Sequence, residues 1–405
     1  MILGAQFLVP LLAMPWLARE LGPEAFSLLL YMSVLVAIWE KVMEWGLAAG
    51  APRRVAEHRE NPEVLAQILA DVMIAKLLLL LICCIASLVL FPFLTHAVPH
   101  PEAYGAALAA GVVRGLNPTW FFQGMGHSMR RMSLYEVGSG TLILALTIIL
   151  VDEPQDWPLY MVFTAVCKGL PYGWLTLKLW RRYPCKLGLA QGCRMLVSTS
   201  VLFVGGLAGL VYYRGGLLLI GHFVPPMQMG MLLVADKIVR AAVCFARAIT
   251  ETIYPEVSAL RTTQPDAAMA LLRFGLRLIL GLMLLGAVCI WFGAPWLVQL
   301  ALGPGYEQAS DILRILACLI PVIGCSYALG SDILVPLGEE KHLTMAQCVS
   351  ALVCVPLAVA LCFGGDVVMG AFYGIIVESI AMLWQLWHAH RVCPAAFSAS
   401  KRVER

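Results

Sequence analysis

The chain is expected to fold as an all-α integral membrane protein of about twelve transmembrane helices, arranged as two six-helix lobes around a central cavity. Three observations carry this expectation. Hydrophobic residues make up 60% of the 405 positions and charged residues only 13%, far from the balance of a soluble domain. Apolar runs of roughly twenty residues, the length that crosses hydrocarbon as a helix, recur from end to end. Several of these runs carry charged side chains near their middle. An ionised group there costs roughly 2.5 to 3.5 kcal/mol on insertion scales, so it is expected to face a bundle interior or an aqueous cavity.

Taken in order, the first expected span, 2–18, opens almost directly from Met1 with no basic segment before it, which reads as a span and not a cleaved signal peptide. Span 25–49 follows a short turn and carries Glu40, Lys41 and Glu44. Spans 69–93 and 103–124 are separated by residues 95–100, which contain no Lys or Arg, and spans 134–151 and 158–179 by the acidic segment Asp152–Asp156. Span 193–220 is interrupted by Arg214-Gly215-Gly216, yet is kept as one helix because the remaining segments require an even count. Span 227–253 is the most highly charged. The last four are 271–300, 309–335, 343–363 and 367–389.

Alternate loops are basic. Arg53, Arg54 and Arg59 follow span two, Arg130 and Arg131 span four, and Arg181, Arg182 and Lys186 span six. Arg261 and Arg273, then Lys341, then Lys401, Arg402 and Arg405 continue the series, with Arg19 as the main exception. The positive-inside rule therefore puts both termini in the cytoplasm. Features also recur about two hundred residues apart. Pro101-Glu102-Ala103-Tyr104 leading to Arg114 is echoed by Gly303-Pro304-Gly305-Tyr306 leading to Arg314, and Ala51-Pro52 by Tyr254-Pro255. This suggests two parallel halves, 1–190 and 191–405, with a substrate site between them.

Span eight is the most informative. At 100° per residue, Asp236, Lys237, Arg240, Arg247 and Glu251 share a wedge roughly 100° wide. Asp236 with Arg240, and Arg247 with Glu251, are four apart and suited to pairing along the helix. Lys237 has no acid at either favourable spacing and must look to another helix, a cavity or an anionic ligand. Arg114, Lys168 and Arg214 likewise lack a nearby acid on their own spans. Seven interior bases (Lys41, Arg114, Lys168, Arg214, Lys237, Arg240, Arg247) stand against four acids (Glu40, Glu44, Asp236, Glu251). That excess favours an anionic ligand, and Arg and Lys suit phosphate as a two-pronged donor and a point charge respectively. The competing interpretation is a set of buried pairs that hold helices in register. Glu378 and Asp332 are isolated acids, each a candidate proton or cation site. Most of the thirteen cysteines lie in apolar runs and read as packing residues. There is no Walker A loop, no metal-spaced His or Cys cluster and no nucleophile elbow, so neither a cofactor nor catalysis is expected.

Several motifs resemble bacterial polysaccharide exporters of the Wzx type. They are Leu17-Ala18-Arg19-Glu20-Leu21-Gly22-Pro23-Glu24-Ala25-Phe26, Glu44-Trp45-Gly46-Leu47 continuing through Pro52-Arg53-Arg54-Val55-Ala56, and Asn117-Pro118-Thr119-Trp120-Phe121-Phe122-Gln123-Gly124. Further along, Ala235-Asp236-Lys237-Ile238-Val239-Arg240, Ile253-Tyr254-Pro255-Glu256-Val257-Ser258, Leu313-Arg314-Ile315-Leu316, Val335-Pro336-Leu337-Gly338 and Gly370-Ala371 to Glu378 are similar to the family's later helices. The chain departs from the family in its short start and in Gly-Met-Gly-His at 124–127, where an acidic residue is more usual.

The resemblance implies the multidrug/oligosaccharidyl-lipid/polysaccharide exporter fold, in the inner membrane of a bacterium, and flipping of an undecaprenyl-diphosphate-linked oligosaccharide to the periplasmic leaflet for lipopolysaccharide or exopolysaccharide synthesis. Its implied partners are that lipid-linked substrate, membrane lipids, H+ or Na+ as coupling ion, and a polysaccharide polymerase and glycosyltransferases, with no nucleic acid. Candidate diphosphate ligands are Arg114, Lys168, Arg214, Lys237, Arg240 and Arg247, and candidate coupling or pairing acids are Glu44, Asp236, Glu251 and Glu378. The alternatives are an ion-coupled multidrug antiporter, which favours an acidic cavity, and a membrane-embedded glycan polymerase or glycosyltransferase, which needs a larger loop.

Overall fold

The computed structural model describes residues 2–126, 129–184, 188–335 and 339–394. Of the features above, His127, Lys186, Pro336-Leu337-Gly338, Lys401, Arg402 and Arg405 lie outside these residues. The side chains of Arg130, Arg131, Glu251, Tyr254, Pro255, Ser258 and Arg261 are likewise not described.

The regular elements among the described residues are helices. Helix α1 (Ile2–Glu44) joins the first two expected spans at Gly22, whose φ of 71° and ψ of 172° leave the helical region. Glycine adopts that φ without steric cost, and the following Pro23 favours an extended ψ. The second span was expected to reach residue 49, but the helix stops at Glu44. Trp45 (φ 44°) and Gly46 (φ 73°) both turn left-handed before α2 (Leu47–Glu57) begins. A tryptophan there is strained. It is held by a hydrogen bond from its Nε1 to the Leu196 carbonyl (3.1 Å) and by stacking on Phe203 at 3.7 Å.

Next come α3 (Pro62–Leu90), α4 (Pro101–Gly115) and α5 (Thr119–Met125), followed by α6 (Met129–Leu150), α7 (Leu159–Arg182) and α8 (Leu189–Leu210). Helix α3 presents an exposed apolar stripe of Leu77, Leu81, Ile85 and Leu88, while Lys76 and Ser87 are the polar members of a mostly apolar buried face that includes Leu79 and Cys83. The exposed stripe suits a lipid exterior. The expected span 103–124 is broken between α4 and α5, because Pro118 has no N–H to give and its ring disfavours helix at Asn117. A π-helical turn (Val211–Gly215) leads into α9 (Gly216–Phe223). Arg214-Gly215-Gly216 thus widens the seventh span without ending it. The Val211 and Tyr212 carbonyls accept from Cys354 Sγ (3.8 Å) and Tyr373 Oη (3.1 Å). The remaining helices are α10 (Pro226–Thr263), α11 (Pro265–Leu302), α12 (Gln308–Ala317), α13 (Leu319–Ala328), α14 (Glu340–Cys362) and α15 (Val367–Val392), with a second π-helical turn at Leu329–Leu334.

Seven described segments are long and apolar enough to cross a membrane: Ala13–Glu44, Pro62–Phe93, Met132–Leu150, Pro265–Leu302, Gln308–Leu334, Lys341–Cys362 and Val367–Val392. Some of the other expected spans fall outside that description for physical reasons. Span 103–124 is broken, 158–179 is diluted by Lys168, Pro171 and small or aromatic residues, and 227–253 is heavily charged.

The chain divides into two compact units. The first comprises Met1–Leu210, Pro225–Gly230 and Leu300–Gly305; the second comprises Val211–Val224, Met231–Gln299 and Tyr306–Arg405. Helix α8 packs on α3 within the first unit, with Gly192 against Ile74. Within the first unit α1 packs on α4, α2 on α5 and α4 on α7. Close approach of α1 and α4 depends on small residues. A Cβ at Gly115 would lie 2.2 Å from Met43 Cβ, and one at Gly111 2.6 Å from Trp39 Cβ. In the second unit α14 and α15 pack together, and Ile253, Val257, Leu272, Leu329, Ile333, Leu334 and Ala389 form a core.

Candidate functional site

The break between α4 and α5 opens a cavity of about 150 Å³ in the first unit, lined by Glu44, Lys76, Arg114, Asn117, Thr119, Trp120 and Gln123 among others. Arg114, in the last turn of α4, reaches α1, where its Nη2 lies 2.9 Å from Glu40 Oε2. Lys41 pairs with Glu44 three residues on, at 2.8 Å. The acidic and basic residues of span two therefore part company, with Glu40 serving a neighbouring helix and Glu44 its own. Asn117 sits at the break, where its side-chain oxygen accepts from the Thr119 amide (2.9 Å) and hydroxyl.

Beside this cavity, Glu136 of α6 gathers three donors. Lys168 Nζ of α7 is 2.8 Å away, the Tyr172 hydroxyl donates to its other oxygen, and Asn117 Nδ2 reaches it at 3.5 Å. The node ties α6, α7 and the helix break into one hydrogen-bonded cluster.

In the second unit Arg240 bridges two acids. Its Nε lies 3.0 Å from Asp236 Oδ1, the pairing expected from their spacing, and its Nη2 lies 3.4 Å from Glu378 Oε1 of α15. Asp236, Arg240 and Glu378 line a cavity of about 30 Å³, room for one water, with Tyr212 and Tyr373. Glu378 is thus a paired acid. Asp332, in the π-helical turn of Leu329–Leu334, is buried and accepts from the Thr250 hydroxyl at 3.3 Å through one oxygen. Its other oxygen has no hydrogen-bond partner among the described residues.

The structure therefore distributes the sequence candidates. Arg114 and Glu44 share the first cavity, Lys168 lies on the adjoining acid node, and Asp236, Arg240 and Glu378 share the second cavity. Arg214 lies in the π-helical turn of Val211–Gly215, and Lys237 and Arg247 lie on α10, each engaged in further interactions. Arg114 and Lys168, which lack an acid on their own spans, find one on another helix. The expected excess of interior bases needs correction too. The buried charged residues among the described residues are Lys76 and four acids, Glu136, Asp236, Asp332 and Glu378. In each cross-helix pair the base is the more exposed member: 39% against 25% for Arg114–Glu40, 17% against 2% for Lys168–Glu136, and 30% against 8% for Arg240–Glu378. Acids form the backing and bases form the face. Sequence reasoning missed Lys76 and Glu136. The signal for Lys76 was present, as a lone lysine within a long apolar helix.

The sequence matches the family described as polysaccharide biosynthesis protein over residues 1–261. It is 25% identical over 375 residues to an Escherichia coli (strain K12) protein named "Putative O-antigen transporter", covering 87% of each chain. It is 23% identical to a Shigella dysenteriae protein of the same name, covering 86% of this chain and 88% of that one. The fold is that of two solved structures. One is an inward-facing multidrug resistance MATE family transporter of the MOP superfamily (TM-score 0.73, 15% identity, 98% and 96% coverage). The other is the lipid II flippase MurJ in an inward closed conformation (TM-score 0.75, 11% identity, 96% and 87% coverage).

Proposed function

Since this chain belongs to the polysaccharide biosynthesis protein family, we propose that it is a flippase that moves undecaprenyl-diphosphate-linked oligosaccharide from the cytoplasmic to the periplasmic leaflet of a bacterial inner membrane. The observation that carries this reading is that the base is the more accessible member of each cross-helix ion pair. A diphosphate leaving water needs compensating positive charge, and guanidinium groups offer it two parallel donors. The backing carboxylates hold the bases in place and limit the cost of burying them. Arg114 and Arg240, which line the two cavities, are the foremost phosphate ligands, with Lys168, Arg214, Lys237 and Arg247 as further stations. The lipid tail stays in the bilayer while the head group passes.

In this reading the halves are six-helix lobes of a twelve-span protein with both termini in the cytoplasm, and they rock to open a central cavity to either side. Glu44, Asp236, Glu251 and Glu378 are the acids available to an H+ or Na+ coupling step, and polymerase and glycosyltransferases act before and after it. A multidrug antiporter shares the fold, but cationic drugs call for exposed acids, and here the acids are the recessed partners.

The test is genetic and chemical together. Cells deleted for the gene should lose surface polysaccharide and accumulate the lipid-linked repeat unit, and the intact gene should reverse both. Normal surface polysaccharide in the deletion strain would remove the reading.

A further inference from the structure

Lys76 is a buried lysine whose Nζ donates to two backbone carbonyls, Gly115 O at 2.7 Å and Asn117 O at 3.1 Å. These are the carbonyls that the α4–α5 break releases. In an unbroken helix the Thr119 amide would return to Gly115, but it is held by the Asn117 side chain at 2.9 Å. The Phe121 amide would return to Asn117, but it bonds Pro118 O at 3.0 Å. Released carbonyls at a helix C-terminus carry the negative end of the helix dipole, about half an elementary charge.

Those carbonyls lie in the wall of the 150 Å³ cavity, beside Glu44 and Arg114. Arg114 is already answered by Glu40. Glu44 is likewise answered by Lys41, so without Lys76 the wall would keep two closed ion pairs and an open helix end, whose negative dipole favours a cation over an anion. With Lys76 the open helix end is capped by a side-chain amino group, and Glu44 lines the same cavity. We infer that Lys76 sets the sign of the ligand this cavity admits: it makes the wall of the first unit accept an anionic phosphate group and refuse an organic cation. The inference rests on the reading of this cavity as part of a diphosphate passage. Lys76 acts in it as a specificity-determining residue.

The experiment titrates purified full-length protein with inorganic pyrophosphate and, separately, with the cationic dye rhodamine 6G. The unmodified protein should bind pyrophosphate and not the dye. Lys76→Met, which keeps an unbranched apolar stem, should weaken pyrophosphate binding at least about tenfold, the scale of a lost charged hydrogen bond, and should admit the dye. Lys76→Arg should stay near the unmodified affinity. Glu44→Gln should strengthen pyrophosphate binding, and combined with Lys76→Met it should recover part of the loss, which a purely structural lysine would not allow. Monodisperse Lys76→Met with unchanged preference for pyrophosphate over dye would overturn the inference. If Lys76→Met does not fold, an unchanged affinity in Glu44→Gln overturns it instead. Loss of pyrophosphate binding in Arg114→Ala but not in Lys76→Met would keep the diphosphate reading and discard the role of Lys76. No pyrophosphate binding by the unmodified protein would discard both.

Discussion

Lys168 and Glu136 meet across α7 and α6 at 2.8 Å, and the carboxylate is the deeper of the two, with a tyrosine hydroxyl donating to its second oxygen. Removing the lysine alone leaves that carboxylate buried with only neutral donors. Lys168→Met should therefore lower stability by about 3 to 5 kcal/mol, and the double substitution with Glu136→Gln should recover most of it. Melting of the detergent-solubilised variants measures both. An unchanged melting temperature in the single variant would show that the pair is not a structural tie.

Arg114 should behave differently, because its pair is more open to the cavity. Arg114→Ala is expected to abolish surface-polysaccharide display while the amount of folded protein in the membrane stays near normal. Arg114→Lys keeps the charge but loses the planar fork, so display should fall partway. Quantifying polymer and folded protein in the same cells separates the two effects. Loss of both in step would make Arg114 a structural residue.

Packing of α4 on α1 gives a third expectation. At Gly115 an added methyl meets Met43 Cβ at 2.2 Å and the Glu40 carbonyl at 3.1 Å, with backbone on one side and the root of a side chain on the other. Gly115→Ala should cost about 1 to 3 kcal/mol of stability. At Gly105, on the same helix, a Cβ meets nothing within 4 Å, so Gly105→Ala should be silent in the same melting assay.

The alternating loop charges give a fourth. A cysteine introduced at Glu153 should be modified by a membrane-impermeant reagent added to the periplasmic side, and one at Thr263 should be spared. The reverse pattern would invert the proposed topology.

The helical, membrane-embedded character of the chain was legible because lipid imposes a length and a composition on every crossing. The joins were harder. The break at Gly22 falls between the first two expected spans, whereas Asn117-Pro118 carries a similar local signal inside an expected span, 103–124, that ran straight through it. The left-handed Trp45 has no sequence signal, since a tertiary stack on Phe203 holds it. At the site, the Asp236–Arg240 pair was readable from helical spacing alone. Arg114 with Glu40, Lys168 with Glu136 and Arg240 with Glu378 were not, because partners on different helices leave no periodicity in one sequence. Lys76 itself was legible as a lone lysine in an apolar helix, but its partners were not: they are carbonyls, which every residue has, and only the broken helix sets these two apart.

The central claim is that the half-buried bases of the cross-helix ion pairs carry a diphosphate-linked glycan across the bilayer, and reconstituted flipping tests it most directly. Purified protein is placed in liposomes with undecaprenyl-diphosphate-linked oligosaccharide, and the fraction of glycan that becomes accessible on the opposite leaflet is followed with a lectin or glycosidase. Unmodified protein should equilibrate the two leaflets while folded Arg114→Ala protein stays near the level of protein-free liposomes. Equal rates for unmodified and Arg114→Ala protein, or no acceleration by unmodified protein over empty liposomes, would contradict the account.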